Sequence, residues 1–241
     1  MNQSVVQRTR RSFRRGADPS SAVTTGQWQF IRKEGTMRIL MAVAFLASTA
    51  IAQAAPLGVG GTLFPAPGEP DPVGASLVIG SGALPFVSPN FSGTLTSNIY
   101  NNDSTNPFGP AALTFTYLLT NDNTSVNSLA RLTVNGYLGF STDASYQVPA
   151  AGVIPALIDR QSADVVGFSF VGPPLGQGVI MAGQRSALLV IQTNATTYGV
   201  TLASIQDGTI AQVPTYSPSP EPAAMGLTAI GLLTVARRRR K

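Results

Sequence analysis

The chain has no cysteine and no histidine, a single tryptophan, and charged side chains at only 11% of its 241 positions. Without cysteine no disulfide can brace the fold. Without cysteine and histidine, Ser-His and Cys-His nucleophilic pairs and the usual zinc ligand sets are excluded. Phosphate-cradling loops of the G-x-x-x-x-G-K-[ST] or G-x-G-x-x-G type are missing too. Lysine is absent from residues 55–219 altogether.

Positive charge is concentrated at the ends. The formal net charge of +5 comes from a basic leading stretch (Arg8, Arg10, Arg11, Arg14, Arg15, Arg32, Lys33) and from Arg237, Arg238, Arg239, Arg240 and Lys241. Between them, residues 55–219 hold eight carboxylates against Arg131, Arg160 and Arg185, and are acidic. An acidic, lysine-free body is no electrostatic partner for nucleic acid. Its length suits one domain with a core of its own.

The body reads as strands. Residues 55–72 are rich in Gly and Pro and predict an extended lead-in to a domain over 73–213. There, period-two segments alternate with Asn, Asp, Gly and Pro clusters. Candidate strands are Ser76–Ile79, Gly93–Tyr100, Leu113–Leu119, Ala130–Val134 with a continuation at Tyr137–Ser141, Val165–Phe170, Ala187–Thr193, Val200–Ile205 and Thr209–Val213. Leu113, Phe115, Tyr117 and Leu119 share one face, with Thr114 and Thr116 on the expected solvent face. Leu132 and Val134, and Val166, Phe168 and Phe170, form similar inward sets. Ala187–Thr193 is apolar on both faces and predicts a covered strand. Asp207-Gly208 marks a hairpin. Asn101–Pro110, Asn121–Ser128 and Pro149–Ala163 read as longer loops, with one helical turn over Pro155–Asp159. The expectation is an all-β protein: an antiparallel β-sandwich of roughly nine strands, Ig-like or jelly-roll-like, flanked by an N-terminal signal helix and a C-terminal transmembrane helix.

Chemistry in this body would rest on carboxylates. Asp159 and Asp164 flank Arg160, a spacing open to a glycosidase-like acid–base pair and, more simply, to an Asp–Arg surface pair. Asp103 and Asp122, within Asn101-Asn102-Asp103 and Asn121-Asp122-Asn123, offer oxygen ligands as weak calcium candidates; the same residues favour turns. Tyr100, Tyr137, Tyr146 and Tyr198 are candidates for a sugar-binding aromatic surface or for half-buried packing. No cofactor is expected.

The ends speak of destination. Met37-Arg38, the apolar stretch Ile39–Ala50 and Ala52-Gln53-Ala54 have the form of a signal peptide over 37–54, cleaved between Ala54 and Ala55. Residues 1–36 then read as a disordered upstream extension from a mis-placed start, with translation beginning at Met37; Thr9-Arg10-Arg11-Ser12-Phe13 offers the alternative of a twin-arginine signal. At the other end, a linker over 214–222 carries Pro220-Glu221-Pro222. The uncharged run Ala223–Ala236 follows, and then the basic tail Arg237–Lys241. As a helix the run spans roughly 21 Å, short of the roughly 30 Å bilayer core, and five terminal cations hold that end on the cytoplasmic side.

This order resembles the PEP-CTERM sorting signal of bacteria. The resemblance covers 220–241 only, and departs from the common pattern in the short, leucine-poor run containing Thr228 and Thr234 and in Ser219 before the motif. It implies export through the Sec translocon, transient retention at the inner membrane, processing by an exosortase-type enzyme, and delivery to the cell envelope or the extracellular space, often in association with exopolysaccharide. The expected function is a non-enzymatic surface or matrix protein. The alternatives are a carbohydrate-binding module on exopolysaccharide and a secreted glycan-active enzyme.

Overall fold

A computed structural model describes residues 56–172 and 178–220. The leading extension, the signal segment with Ala52, Ala54 and Ala55, and everything from Glu221 onward lie outside the described residues, and with them the expected signal and transmembrane helices. In chain order the strands are β1 (Thr62–Leu63), β2 (Gly68–Glu69), β3 (Ser76–Val87), β4 (Ser92–Asn101), β5 (Thr114–Asn121), β6 (Arg131–Val134), β7 (Thr142–Gln147), β8 (Leu157–Ser162), β9 (Val165–Ser169), β10 (Leu189–Thr193), β11 (Tyr198–Asp207) and β12 (Thr209–Pro218).

They form two six-stranded sheets. Sheet one runs β1-β8-β9-β6-β11-β12 and sheet two runs β2-β7-β10-β5-β4-β3. Every pairing is antiparallel except β2 with β7. The described residues are thus all-β and sandwich-like. Beyond β4 the chain repeatedly changes sheet, so neighbours in sequence end on opposite sides of one core.

That core is built by the alternation visible in the sequence. Leu95, Ile99, Phe115, Tyr117, Leu119, Leu189 and Ile191 enter it from sheet two. Leu132, Val134, Ile158, Val166, Phe168, Ala203, Ile205 and Val213 enter it from sheet one. Two phenols sit at its centre. Tyr117 donates to the Tyr216 carbonyl (2.7 Å), and its oxygen therefore accepts from the Tyr137 hydroxyl at 2.8 Å. Both are fully buried, and burial raises both pKa values, so the pair stays protonated and hydrogen-bonded.

Four expectations are corrected. Among the described residues twelve strands stand where roughly nine were read, because β1 and β2 lie inside the Gly/Pro-rich lead-in and β7 and β8 were not foreseen, while Tyr137–Ser141 is no strand; β12 also runs to Pro218, beyond the expected end at 213. Pro214 is tolerated there because β12 is an edge strand with only β11 beside it. Tyr137–Ser141 is a turn, with Phe140 N–H donating to the Tyr137 carbonyl, and the next strand is β7, which its small polar residues disguised. Pro155–Asp159 makes no helical turn; it enters β8, whose Asp159 and Arg160 hid a strand with a buried face. Finally, Thr114 and Thr116 are fully buried. The outer face of sheet two is covered at these two positions, while Thr94, Thr96 and Asn98 of β4 are only half-buried.

Candidate functional site

The C-terminal exit is where the sorting signal meets the fold. Tyr198 pairs with Pro218 at the end of the β11–β12 ladder. One residue on, Ser219 N–H donates to the Thr197 carbonyl (3.1 Å), and Thr197 Oγ1 donates back to the Ser219 carbonyl. Pro220 is the last described residue and is exposed. It borders an open hollow of about 400 Å3 shared with Leu138, Phe140, Asn194 and Ala195. Of the motif, Pro220 follows the Ser219–Thr197 bonds, the last to the sheet among the described residues; Glu221, Pro222 and the basic tail lie outside the described residues.

The calcium candidates are at opposite ends of the β4–β5 pair. Asp122 follows β5 and accepts from Ser92 Oγ at 2.7 Å. Asp103 follows the far end of β4, a strand of 10 residues. Asp103 is buried and its lone pairs are occupied: Oδ1 accepts from Val73 N–H, Thr105 N–H and Thr105 Oγ1, and Oδ2 from Thr114 Oγ1 and Gln192 Nε2. Burial raises its pKa, but the bonds from Thr105, Gln192, Val73 and Thr114 outweigh burial and hold it below the ordinary value. Asp103 acts as a hub that joins loops. No group of three or more Asp or Glu side chains able to hold a metal occurs among the described residues.

The Asp159–Arg160–Asp164 triplet also separates. Asp159 forms a bidentate pair with Arg131, both bonds 2.7 Å. Arg160 points the other way and is buried, donating to Thr142 Oγ1, the Tyr137 carbonyl and the Ala163 carbonyl. Asp164 accepts from the backbone N–H groups of Gly136 and Leu138. Neither the expected surface pair with Arg160 nor a converging pair of carboxylates forms here.

The tyrosines do not share a surface. Tyr137 is in the core, Tyr100 and Tyr146 belong to sheet two, and Tyr198 belongs to sheet one. Tyr146 does line an apolar hollow of about 450 Å3 with Phe64, Pro65, Ile154 and Pro155, and Phe64 is 56% exposed.

One constellation escaped the sequence reading. β2 and β3 occupy opposite edges of sheet two. Five strand spacings of about 4.8 Å separate them, roughly 24 Å in all. The seven residue steps from Glu69 to Ser76 reach about that far when extended. The connection crosses the outer face of the strands between them as a strap, held at Asp71 and Val73. Asp71 on this strap accepts from Ser145 Oγ (2.9 Å), and Val73 is tied to Asp103 and Ser104. Beneath it, the register aligns Asp143, Gln192 and Thr114 in one row and Ser145, Val190 and Thr116 in the next. Glu69, Asp71, Asp103 and Asp143 are all buried. Burial, and then the charges of Asp143 and Asp71, push the Glu69 pKa up to about 7. Burial likewise raises Asp71, against its hydrogen bonds. The signal for this layer in the sequence was only Glu69-Pro70-Asp71-Pro72, carboxylates interleaved with prolines.

Comparison with protein-family models, with curated proteins and with solved structures finds no match to this chain.

Proposed function

We propose that this is an exported, non-enzymatic β-sandwich protein of the cell surface or extracellular matrix, of Ig-like or jelly-roll-like type, delivered by a PEP-CTERM signal. Its partners are the Sec translocon, an exosortase-type processing enzyme and, transiently, the inner membrane. The observation that carries the reading is the order Pro220-Glu221-Pro222, uncharged run, cationic end. The exit geometry supports it. Among the described residues the last hydrogen bonds to the sheet are at Ser219, so the ladder that ends at Pro218 stops short of the motif's first proline. The closure of Glu69, Asp71, Asp103 and Asp143 from solvent supports a structural body over a glycan-active enzyme. Mass spectrometry of the mature protein from its native host tests the reading: the expected product ends near Pro220–Pro222, and a secreted product that retains Arg237–Lys241 overturns it.

A second reading, a carbohydrate-binding module attached to exopolysaccharide, draws on the hollow beside Phe64 and Tyr146, where an exposed aromatic ring flanks an apolar wall. Retention of the mature protein on envelope polysaccharide, lost on Phe64→Ala, is the outcome this reading expects. No retention on any envelope glycan rejects it.

A further inference from the structure

The β11–β12 hairpin is split by polarity on its outer face. At the Gly208 end the outward positions are Ser204, Gln206 and Gln212, with Ile210 standing alone among them. At the end from which the chain leaves, they are Tyr198, Val200, Leu202, Pro214 and Tyr216. Val200 is 74% exposed. Tyr198 and Tyr216 pack edge to face, ring centres 6.0 Å apart. Neither Tyr198–Leu202 nor Pro214–Pro218 contains a charged residue. A contiguous, uncharged apolar patch on an outer sheet face marks a surface for a partner or a membrane.

Its position selects the occupant. Only residues 219–222 lie between Pro218 and the apolar run that begins at Ala223. Four residues reach at most about 14 Å. If the run enters a bilayer, the patch is held at the lipid headgroups, at an effective concentration that makes even weak affinity count. Paired tyrosines on an aliphatic base are the side chains that settle at that boundary. A second copy fits less well: five side chains fall far short of the roughly 20–30 residues a side of a stable protein interface.

We propose that the tail-proximal face of the β11–β12 hairpin is a membrane-resting surface, lying on the outer leaflet for as long as the C-terminal run remains inserted and released when the tail is cut. This rests on the sorting reading above. It predicts a domain oriented against the bilayer, with its C-terminal exit pressed toward the lipid where a membrane-embedded processing enzyme works.

The absence of cysteine allows a direct test. The full uncut chain, purified from a host without exosortase, is made as Val200→Cys and, for comparison, Ile210→Cys. Each thiol is labelled with an environment-sensitive fluorophore, and the chain is reconstituted into phosphatidylethanolamine–phosphatidylglycerol vesicles carrying a shallow spin-labelled quencher lipid. Flotation is measured on the same samples. The expected result is a chain that floats, with a blue shift and several-fold stronger quenching at position 200 than at 210. A floating chain with a water-like probe at both positions overturns the resting surface and leaves the tail reading intact. Failure to float overturns both. A blue shift at 200 before any lipid is added means that the tail or a second copy covers the patch, and also overturns the proposal.

Discussion

At Gly167 the absence of a side chain leaves room for an ion pair. Gly167 lies on β9 between β6 and β8, and Arg131 of β6 stretches over it to reach Asp159 of β8. A Cβ there would come within 2.2 Å of the guanidinium and 3.0 Å of the carboxylate. Gly167→Ala is expected to break this alignment and cost roughly 1–3 kcal/mol, as overpacking does, read as a lower urea midpoint; an unchanged midpoint would show that the ion pair is free to shift. The core phenols give a second case. Tyr117→Phe leaves the Tyr216 carbonyl and the Tyr137 hydroxyl without their partner, at a cost of roughly 1–3 kcal/mol. Tyr137→Phe removes only a donor to an oxygen that still donates elsewhere, and is expected to cost less in the same urea titration. Asp103 was legible as a polar loop residue and not as a hub, because the groups it binds come from Val73, Thr105, Thr114 and Gln192, scattered along the chain.

Among the elements, the β11–β12 hairpin was the most legible and the strap over sheet two the least. The hairpin follows from alternation on both sides of Asp207-Gly208, and Gly208 does turn the chain, at φ +69°. Gly208→Ala places a side chain in the left-handed region and is expected to cost roughly 1–2 kcal/mol, seen as a lower melting temperature with the fold retained by circular dichroism. Burial of Thr114 and Thr116 could not be read, because a β-branched polar residue suits a wet strand face and a covered one equally. Over Thr114 lie Asp103 and Asn106 of the loop between β4 and β5, a loop whose fold back onto the sheet no local pattern shows. β7 and β8 were missed for a related reason: Thr142–Gln147 and Leu157–Ser162 carry polar or charged residues whose burial is supported by partners distant in sequence, Asp71 for Ser145, Arg131 for Asp159, and Thr142 for Arg160.

For the whole molecule, the buried acidic layer gives stability an unusual dependence on pH. Glu69 has its folded pKa raised from 4.5 to about 7, so between those values the folded state binds the proton more tightly than the unfolded chain. Stability is therefore expected to rise as pH falls from about 7 toward 4.5, by no more than about 3 kcal/mol. Asp103 acts in the opposite sense: its folded pKa lies below 3.8, so its contribution is lost only on further acidification through that lower value. Thermal melts of the mature protein across pH 3–8 should show a maximum on the acidic side of neutrality. Glu69→Gln should flatten the limb between 4.5 and 7, and persistence of that limb would place its origin in another group.

The sequence by itself determined the all-β character, the inward-facing residues of most strands and the separation of an acidic body from basic ends, because alternation and charge placement are local properties of the chain. It also carried the whole of the sorting resemblance, which rests on contiguous residues. Only the tertiary structure decided that the candidate carboxylates do not converge on one site, that Glu69, Asp71, Asp103 and Asp143 are all buried, and that the apolar half of one hairpin sits where the chain leaves the fold. Each of those depends on which strands become neighbours, and strand neighbours are chosen by the packing of the shared core, which no single segment encodes.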